Sequence, residues 1–140
     1  MNELHEHIVV KSGSNALKEA EGKLKAILNT LNVSDSEEHN LLVATSEAIN
    51  NAISHGNRND PSKNVTLDIE CSGGEVVVTI EDEGGGFNPN SIPDPLAPEN
   101  LLKPSGRGIH IMKSLMDKVD FTITHHGTRI TMHLRIAKAS

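Results

Sequence analysis

The chain is organised around one stretch, Glu47-Ala48-Ile49-Asn50-Asn51-Ala52-Ile53-Ser54-His55-Gly56-Asn57. An α-helix turns about 100° per residue, so Glu47 and Asn51 stack on one side of it, with Asn50 and Ser54 close by. The side chains expected to face the core gather on the opposite side: Leu41, Leu42, Thr45, Ala48, Ile49, Ala52 and Ile53. Because Asn is a poor helix former, the polar side of this helix points to a function rather than to helix stability.

Composition narrows the class of protein before any further motif is considered. With 140 residues and only two aromatic side chains, the chain is expected to fold as one domain with an aliphatic core. Its net charge of −6 gives no electrostatic reason to expect a nucleic-acid partner. No apolar run approaches the ~20 residues that cross a bilayer, and the N-terminus does not resemble a signal peptide. A single cysteine, Cys71, fits a reducing compartment, so the expected location is the cytoplasm, away from membranes.

The start of the chain is predicted to run strand, helix, helix. Alternating apolar residues over 4–11 predict an edge strand. Apolar residues at helical spacing predict a helix over about residues 14–31, with Ser12 or Ser14 as its N-cap. The pattern Ser34-x-x-Glu37 is a capping box, which predicts that the second helix begins there.

A glycine and a hairpin are predicted to follow the second helix. Gly56 is expected to end the helix in the left-handed conformation, with Pro61 soon after it. An alternating run of Val65, Leu67 and Ile69 and a β-branched run, Val76–Ile80, flank the turn Ser72-Gly73-Gly74-Glu75, which predicts a β-hairpin.

The remainder is predicted to be a long loop, a helix and two strands. Five of the six prolines fall within residues 88–104, and a loop of that length is usually a functional lid or disordered. A helix is expected after Gly108, and strands over residues 119–124 and 128–136. The order βααββ, lid, αββ predicts an α/β sandwich with a largely antiparallel sheet and helices on one face.

The segment Asp82-Glu83-Gly84-Gly85-Gly86-Phe87 is the first candidate site after the helix. A carboxylate at a strand end can accept a hydrogen bond from an exocyclic amine such as that of adenine. Glycines behind it allow a ligand to approach the backbone closely. An ordinary glycine-rich turn explains the same residues equally well.

The segment Ser105-Gly106-Arg107-Gly108 opens a predicted helix and is the second candidate. Free N–H groups at a helix N-terminus suit phosphates, and Arg107 could add a charge-assisted contact. The alternative is a plain N-cap with flexible glycines. The segment is not a P-loop, because the Gly-Lys-Ser/Thr ending is absent.

The pair Glu47 and Asn51 is the third candidate. A glutamate facing a cleft can orient or deprotonate a hydroxyl nucleophile, and an Asn carbonyl can ligate Mg²⁺ that phosphates already hold. The alternative is a solvated helix face.

Taken together, these motifs resemble those of the Bergerat-fold (GHKL) ATPases, the superfamily of histidine kinases, type II topoisomerase ATPase domains and heat-shock chaperones. The E-x-x-x-N box is similar to Glu47–Asn51, and D-x-G-x-G-F to Asp82–Phe87. The later G-x-G box is similar to Gly106–Gly108, and a G-T pair entering the last strand to Gly127-Thr128. The resemblance implies a single histidine-kinase-like ATPase domain over residues 1–140, with a mixed, largely antiparallel sheet and a lid near residues 88–104.

Within that superfamily the chain most resembles the anti-sigma factors that are also serine-protein kinases. The segments from Ser46 to Gly56 and from Ser105 to Met112 carry this likeness. It implies ATP and Mg²⁺ as cofactors, a sigma factor and an anti-sigma-factor antagonist as protein partners, and a homodimer. It implies these site residues: Glu47 as catalytic base, Asn51 as nucleotide and Mg²⁺ ligand, and Asp82, Gly84, Gly86, Ser105, Gly106, Arg107, Gly108 and Thr128 as nucleotide-binding residues.

Two functions of different classes fit these residues. The first is an ATP-dependent protein-serine kinase that is also an anti-sigma factor, and it needs Glu47. The second is an ATP-sensing switch that sequesters a regulator without transferring phosphate, and every motif except Glu47 serves it equally. A sensor histidine kinase is disfavoured, because the helix predicted over residues 14–31 has no histidine to accept phosphate. Topoisomerases and chaperones are disfavoured, because no transducing domain is expected after the last strand.

Overall fold

One antiparallel sheet forms the framework. The computed structural model of the chain describes residues 3–13, 15–58, 60–84, 106–124 and 127–136. Five strands lie in the order β1-β2-β3-β5-β4. In chain order they are β1 (Leu4–Lys11), β2 (Asn64–Ser72), β3 (Glu75–Asp82), β4 (Lys118–Ile123) and β5 (Thr128–Arg135). All four described strand pairs are antiparallel. The expectation of a largely antiparallel sheet is therefore confirmed, and none of the described pairs is the parallel pair that a mixed sheet would contain.

Three α-helices cover one face of this sheet. They are α1 (Ala16–Leu28), α2 (Asp35–Asn51) and α3 (Gly106–Leu115). Successive side chains of a strand point to opposite faces, and in β2 the alternate residues Val65, Leu67, Ile69 and Cys71 are buried. Because the helices bury one face and leave polar residues on the other, the predicted α/β sandwich is confirmed. None of the described helices is long and apolar enough to cross a membrane.

One of the two predicted helix N-caps is confirmed and the other is wrong. The capping box that begins α2 is confirmed: the Ser34 hydroxyl accepts from the Glu37 N–H at 3.1 Å, and the Ser34 N–H donates to the Glu37 carboxylate at 2.8 Å. The predicted cap of α1 is wrong, since its N-cap is Asn15 and makes no side-chain hydrogen bond. Ser12 is buried and accepts a hydrogen bond from Asn57, and Ser14 lies outside the described residues.

The end of α2 also departs from the prediction. The helix continues into one π-helical turn, Ala52–Gly56, in which the Asn57 N–H donates to the Ala52 carbonyl at 2.8 Å. Gly56 does not adopt the left-handed conformation expected of it; the left-handed residue is Arg58, with φ of 53°. Such π turns widen a helix locally and are frequent at functional sites.

The hairpin of β2 and β3 follows the sequence prediction. Ser72 pairs with Glu75, and the two residues between them, Gly73 and Gly74, have φ of 60° and 79°. Positive φ at both positions fits a type I′ turn, whose twist matches that of the strands. The hairpin fixes the register of β3 and so determines which face its last residue, Asp82, occupies. The predicted lid at residues 88–104 lies outside the described residues.

Candidate functional site

Asp82 is buried at the end of β3. Alternation places Val76, Val78 and Ile80 on the helix-covered face, and Asp82 follows on the same face with only 8% of its surface exposed. One carboxylate oxygen, Oδ1, accepts backbone N–H groups from Gly84 at 3.0 Å and from Thr128 at 3.1 Å. The other oxygen, Oδ2, receives no donor from the part of the chain that the structure describes. Within the described residues, Asp82 therefore keeps one acceptor oxygen unused, on a carboxylate that two N–H groups hold in place.

The environment of Asp82 changes its acidity. Burial raises the pKa of the Asp82 carboxyl, because desolvation disfavours the charged form. The N–H donors of Gly84 and Thr128 act in the opposite direction and only partly offset burial. A buried acceptor of this kind favours a ligand that donates a hydrogen bond, such as an exocyclic amine.

Two glycines allow the backbone to close around Asp82. A Cβ atom on Gly56 would overlap the Asp82 carboxylate, and one on Gly127 would overlap both its carboxylate and its carbonyl. A Cβ on Gly84 would lie 2.5 Å from the Gly56 carbonyl oxygen. From the sequence, Gly56 had a helix-ending role and a place in the family segment from Ser46, but no place in the site, whereas the structure puts it against Asp82. No sequence signal pairs residue 56 with residue 82, because that contact depends on the π turn.

Asn57 is a buried polar hub that sequence reasoning missed. It is 1% exposed, and its amide nitrogen donates to the Ser12 hydroxyl at 2.8 Å and to the Asn64 carbonyl at 3.0 Å. Its amide oxygen accepts from the Glu83 N–H at 2.7 Å. Glu83 lies between Asp82 and Gly84. The hydrogen bond to its N–H therefore attaches the turn after β3, which positions the Asp82 carboxylate, to the residue that follows α2 and its π turn.

Glu47, Asn51 and Gly108 meet further along α2. A Cβ on Gly108 would lie 3.1 Å from the Glu47 carboxylate and 3.6 Å from the Asn51 amide nitrogen. Asn51 is 8% exposed, while its neighbour Asn50 is exposed, so the two asparagines face different surroundings. Neither Glu47 nor Asn51 has a side-chain hydrogen bond to any of the residues described. As far as the described residues extend, both groups are therefore available to a ligand.

The other predicted site residues are described in part. Helix α3 begins at Gly106, earlier than the start after Gly108 that periodicity predicted, so Gly106 and Arg107 are its first residues; the placement of the Arg107 side chain is not described. Gly86 and Ser105 lie outside the described residues. The structure thus brings Glu47, Asn51 and Gly108 together at one end of the site, and Asp82, Gly84 and Thr128 together at the other.

The chemistry of these two ends fits a nucleotide with a divalent cation. Gly56 lies nine positions after Glu47, which corresponds to about 13.5 Å along a helix at 1.5 Å per residue and suits an extended nucleoside triphosphate. At the Asp82 end the free oxygen Oδ2 can accept an amine hydrogen. At the other end the Asn51 amide oxygen is the kind of ligand that Mg²⁺ takes, and the N-terminus of α3 supplies N–H donors.

Known sequences identify the family. A sequence profile of the histidine kinase-like ATPase domain matches residues 11–134. The chain is 32% identical over 143 residues to the anti-sigma F factor of Geobacillus thermodenitrificans, a match that covers 99% of this chain and 95% of that protein. It is 40% identical over 101 residues to the anti-sigma F factor of Anoxybacillus flavithermus, covering 67% of this chain and 68% of that protein.

Solved structures share the fold. The RsbU and RsbW domains of a Mycobacterium tuberculosis protein match with a TM-score of 0.73 at 18% identity, over 98% of this chain and 33% of that one. A blue-light-activated histidine kinase of Erythrobacter litoralis matches with a TM-score of 0.61 at 21% identity, over 91% of this chain and 42% of that one. These identities establish the fold alone, whereas the profile and the curated relatives establish the family. The chain belongs to the histidine kinase-like ATPases, in the branch of the anti-sigma factors.

Proposed function

We propose that this chain is an ATP-binding anti-sigma factor that also phosphorylates a serine of an anti-sigma-factor antagonist protein. One observation carries the kinase assignment: the Glu47 carboxylate lies against Gly108 and beside Asn51, without a hydrogen-bond partner in the described residues. A glutamate that only stabilised the helix would gain nothing from that position. A glutamate that receives a proton from a substrate hydroxyl needs to be unpaired and next to the phosphates.

The nucleotide is bound from both ends in this proposal. Asp82 accepts the adenine amine, and Thr128 and Gly84 hold the carboxylate in position through their N–H groups. The phosphates lie at the N-terminus of α3, against Gly106, Arg107 and Gly108. We assign Ser105 and Gly86 to the same nucleotide site, as the family motifs imply. Asn51 would hold Mg²⁺ through its amide oxygen, and the ion would neutralise charge on the phosphate oxygens.

The reaction that follows is an in-line displacement. The serine oxygen forms a bond to the γ-phosphorus while the bond from that phosphorus to the bridging oxygen of ADP breaks. Glu47 takes the hydroxyl proton, and ADP leaves with the bridging oxygen and its electron pair. Such transfer depends chiefly on positioning and on charge neutralisation, so few catalytic side chains are required.

Label transfer from γ-labelled ATP tests this proposal. Wild-type protein and Glu47→Gln are incubated with Mg²⁺ and a lysate of the organism that encodes the chain. We expect one small protein to be labelled by the wild type and not by the variant, while both retain ATP. If both retain ATP and neither labels a protein, the activity is that of the ATP-sensing switch. If neither retains ATP, both functions are excluded.

The partners follow from the same family. We propose a sigma factor as the sequestered protein, in a cytoplasmic complex, and a homodimer of single ATPase domains as the active form. Strand β1 is an edge of the sheet, and Val9 on it is 46% exposed, which suits an interface between two copies. Sedimentation velocity of the wild type and of Val9→Lys tests this interface, and we expect the variant to shift toward monomer. A monomeric wild type would exclude the homodimer.

A further inference from the structure

Arg58 has a backbone conformation that its side chain disfavours. Its φ is 53°, and among the residues that the structure describes it is the only one other than glycine with a positive φ. In the left-handed region the Cβ atom of an L-residue crowds the following carbonyl oxygen, so glycine, and less often asparagine or aspartate, occupies it. An arginine at this position therefore costs folding free energy that a glycine would not cost.

The loop around Arg58 imposes this conformation. The Asp60 N–H donates to the Asn57 carbonyl at 3.0 Å, which closes a β-turn with Arg58 at its second position. A positive φ at that position is typical of the primed turns, in which glycine, asparagine and aspartate predominate. Asn57 is itself fixed by three hydrogen bonds of its buried side-chain amide. The conformation is therefore set by the loop and does not depend on which side chain residue 58 carries.

Contacts within the described residues do not explain the arginine. Its side chain is exposed and has neither a hydrogen bond nor an ion pair with any of them. Two carboxylates of this region already have donors. Asp60 accepts from the Ser62 N–H at 2.9 Å and from the Ser62 hydroxyl at 2.7 Å. Glu83 accepts from the Asn64 N–H at 2.7 Å. A strained residue without such a partner points to a function for its side chain.

Arg58 lies at the rim of the Asp82 end of the candidate site. A Cβ atom on Gly56 would overlap Oδ2 of Asp82 most closely, and Oδ2 is the oxygen without a described donor. A ligand amine that reaches Oδ2 therefore lies beside Gly56. Arg58 follows Gly56 by two residues, so their Cα atoms are at most about 7 Å apart. The arginine side chain is long enough to reach the part of a ligand that projects from this pocket.

The length of the site favours the base over the phosphates as that part of the ligand. In the proposed function the phosphates lie against Gly108, beside Glu47. Gly56 lies nine positions after Glu47, about 13.5 Å along a helix, and Arg58 comes after Gly56. The group within reach of Arg58 is therefore the one whose amine Asp82 accepts.

We propose that Arg58 lays its guanidinium over the exposed ring face of the adenine that Asp82 holds. Asp82 is buried and Arg58 is exposed, so the carboxylate fixes one edge of the base and the guanidinium covers the part that stays outside. A guanidinium is planar and weakly hydrated, and it stacks on aromatic rings where an ammonium does not. This inference rests on the proposed nucleotide binding and adds a contact to the base that none of the motif residues supplies.

Arg58→Gly tests this contact against a purely structural role. Glycine adopts the left-handed conformation without strain, so the melting temperature of the nucleotide-free protein should rise by about 3 °C. ATP affinity, measured by calorimetric titration with Mg²⁺, should nevertheless fall about fivefold, because the guanidinium is lost. A melting temperature that does not rise would overturn the strain on which the inference depends. A rise with unchanged ATP affinity would overturn the contact with the base.

Arg58→Lys is the matched control, because it keeps the charge and the strained backbone but not the planar group. Its melting temperature should equal that of the wild type, and its ATP affinity should fall about threefold. Full ATP affinity in this variant would show that charge alone acts and would overturn the stacked guanidinium.

Adenosine separates the base from the phosphates. It is titrated in competition with ATP, and a contact with the base predicts the same loss for adenosine as for ATP in Arg58→Gly. A loss confined to ATP would place Arg58 against the phosphates and overturn the inference while the proposed nucleotide binding stood. A wild type that binds neither ATP nor adenosine would overturn both.

Discussion

The two ends of the candidate site are built in opposite ways. At one end, Asp82 is held by two backbone N–H groups and enclosed by Gly56 and Gly127, with Asn57 fastening the turn behind it. At the other end, Glu47 and Asn51 have no side-chain hydrogen bonds to described residues. Among the described residues, donors reach one of the two Asp82 oxygens at the first end and none of the Glu47 or Asn51 side-chain atoms at the second.

This difference separates recognition from chemistry. A preorganised acceptor discriminates between ligands, because a ligand without the matching donor leaves a buried carboxylate unpaired. Groups that bind a metal or move a proton must be free to change partners as the reaction proceeds. We therefore expect changes at the Asp82 end to alter binding and folding, and changes at the Glu47 end to alter turnover with little effect on folding.

Glu47→Gln should give the largest effect and tests the reactive end. The amide keeps the size of the side chain but cannot take a proton, so we expect phosphoryl transfer to the acceptor to fall by about 10²–10⁴-fold. ATP affinity and the free energy of unfolding should stay close to wild type. Glu38→Gln, in the first turn of α2, is the matched control. Undiminished transfer by Glu47→Gln would remove Glu47 from the chemistry.

Asp82→Asn should give the next largest effect and tests the recognition end. An amide can still accept the N–H groups of Gly84 and Thr128, but it presents a donor where the free oxygen stood. Two donors then face each other, so we expect ATP affinity to fall about 100-fold, which corresponds to about 2.7 kcal/mol. Calorimetric titration with ATP and Mg²⁺ measures this loss, and equal affinities would contradict the assignment.

The same substitution has a pH-dependent effect on folding. Because the pKa of Asp82 is raised in the folded chain, the charged carboxylate costs stability at neutral pH, and this cost decreases as the pH falls through the raised pKa. Asp82→Asn removes the cost, so the variant should be the more stable protein at neutral pH in the absence of nucleotide. The difference should shrink on acidification toward the ordinary Asp range. Urea unfolding at several pH values measures it, and a less stable variant at neutral pH would contradict it.

The sequence predicted the motifs at both ends of the site but not the contacts that join them. Periodicity predicted the strands that the structure describes, and Ser34 and Glu37 announced the start of α2, because both signals are local along the chain. The motif residues at the two ends were also recognisable, since Asn51 lies four positions from Glu47 and Gly84 two positions from Asp82. The contacts that join the two ends of the site are made by residues that lie far apart in the sequence.

Three features join the two ends: the π turn, the contact of Gly56 with Asp82, and the hydrogen bonds of Asn57. All three form where the end of a helix meets the ends of two strands. Gly56 carried a local signal for a helix stop, and that signal led to a left-handed conformation that the structure does not have. The burial of Asn57 depends on contacts with Ser12 and Glu83, which are distant in sequence. Local patterns cannot report such contacts, because they arise only when the sheet and helices pack.

Gly56→Ala tests how tightly the Asp82 end is closed. The added methyl group would overlap the Asp82 carboxylate, and relief requires Asp82 to leave the N–H groups that hold it. We expect a loss of about 2–3 kcal/mol in the free energy of unfolding. Gly22→Ala, where the methyl group meets nothing, should instead stabilise the protein by up to about 1 kcal/mol. Denaturant unfolding of the two variants should therefore give opposite signs, and equal changes would contradict the closed end.

Asn57→Ala should cost about 2 kcal/mol and tests the fastening of the turn. The substitution leaves the Glu83 N–H without its buried acceptor and removes both amide donor contacts. ATP affinity should also fall, because the turn that carries Asp82 loses its attachment to α2. Asn50→Ala is the matched control, since Asn50 is an exposed asparagine of α2, and it should change the free energy of unfolding by less than about 0.5 kcal/mol.

Gly108→Ala should have the smallest effect on folding and completes the comparison. The added methyl group would lie 3.1 Å from the Glu47 carboxylate oxygen, but that oxygen ends a flexible side chain with no described hydrogen bond to lose. Glu47 can therefore turn aside, and alanine is the better helix residue, so the free energy of unfolding should change by less than about 0.5 kcal/mol. Denaturant unfolding without nucleotide measures it beside Gly56→Ala. A loss as large as that of Gly56→Ala would mean that both ends are equally rigid, and the contrast between recognition and chemistry would fail.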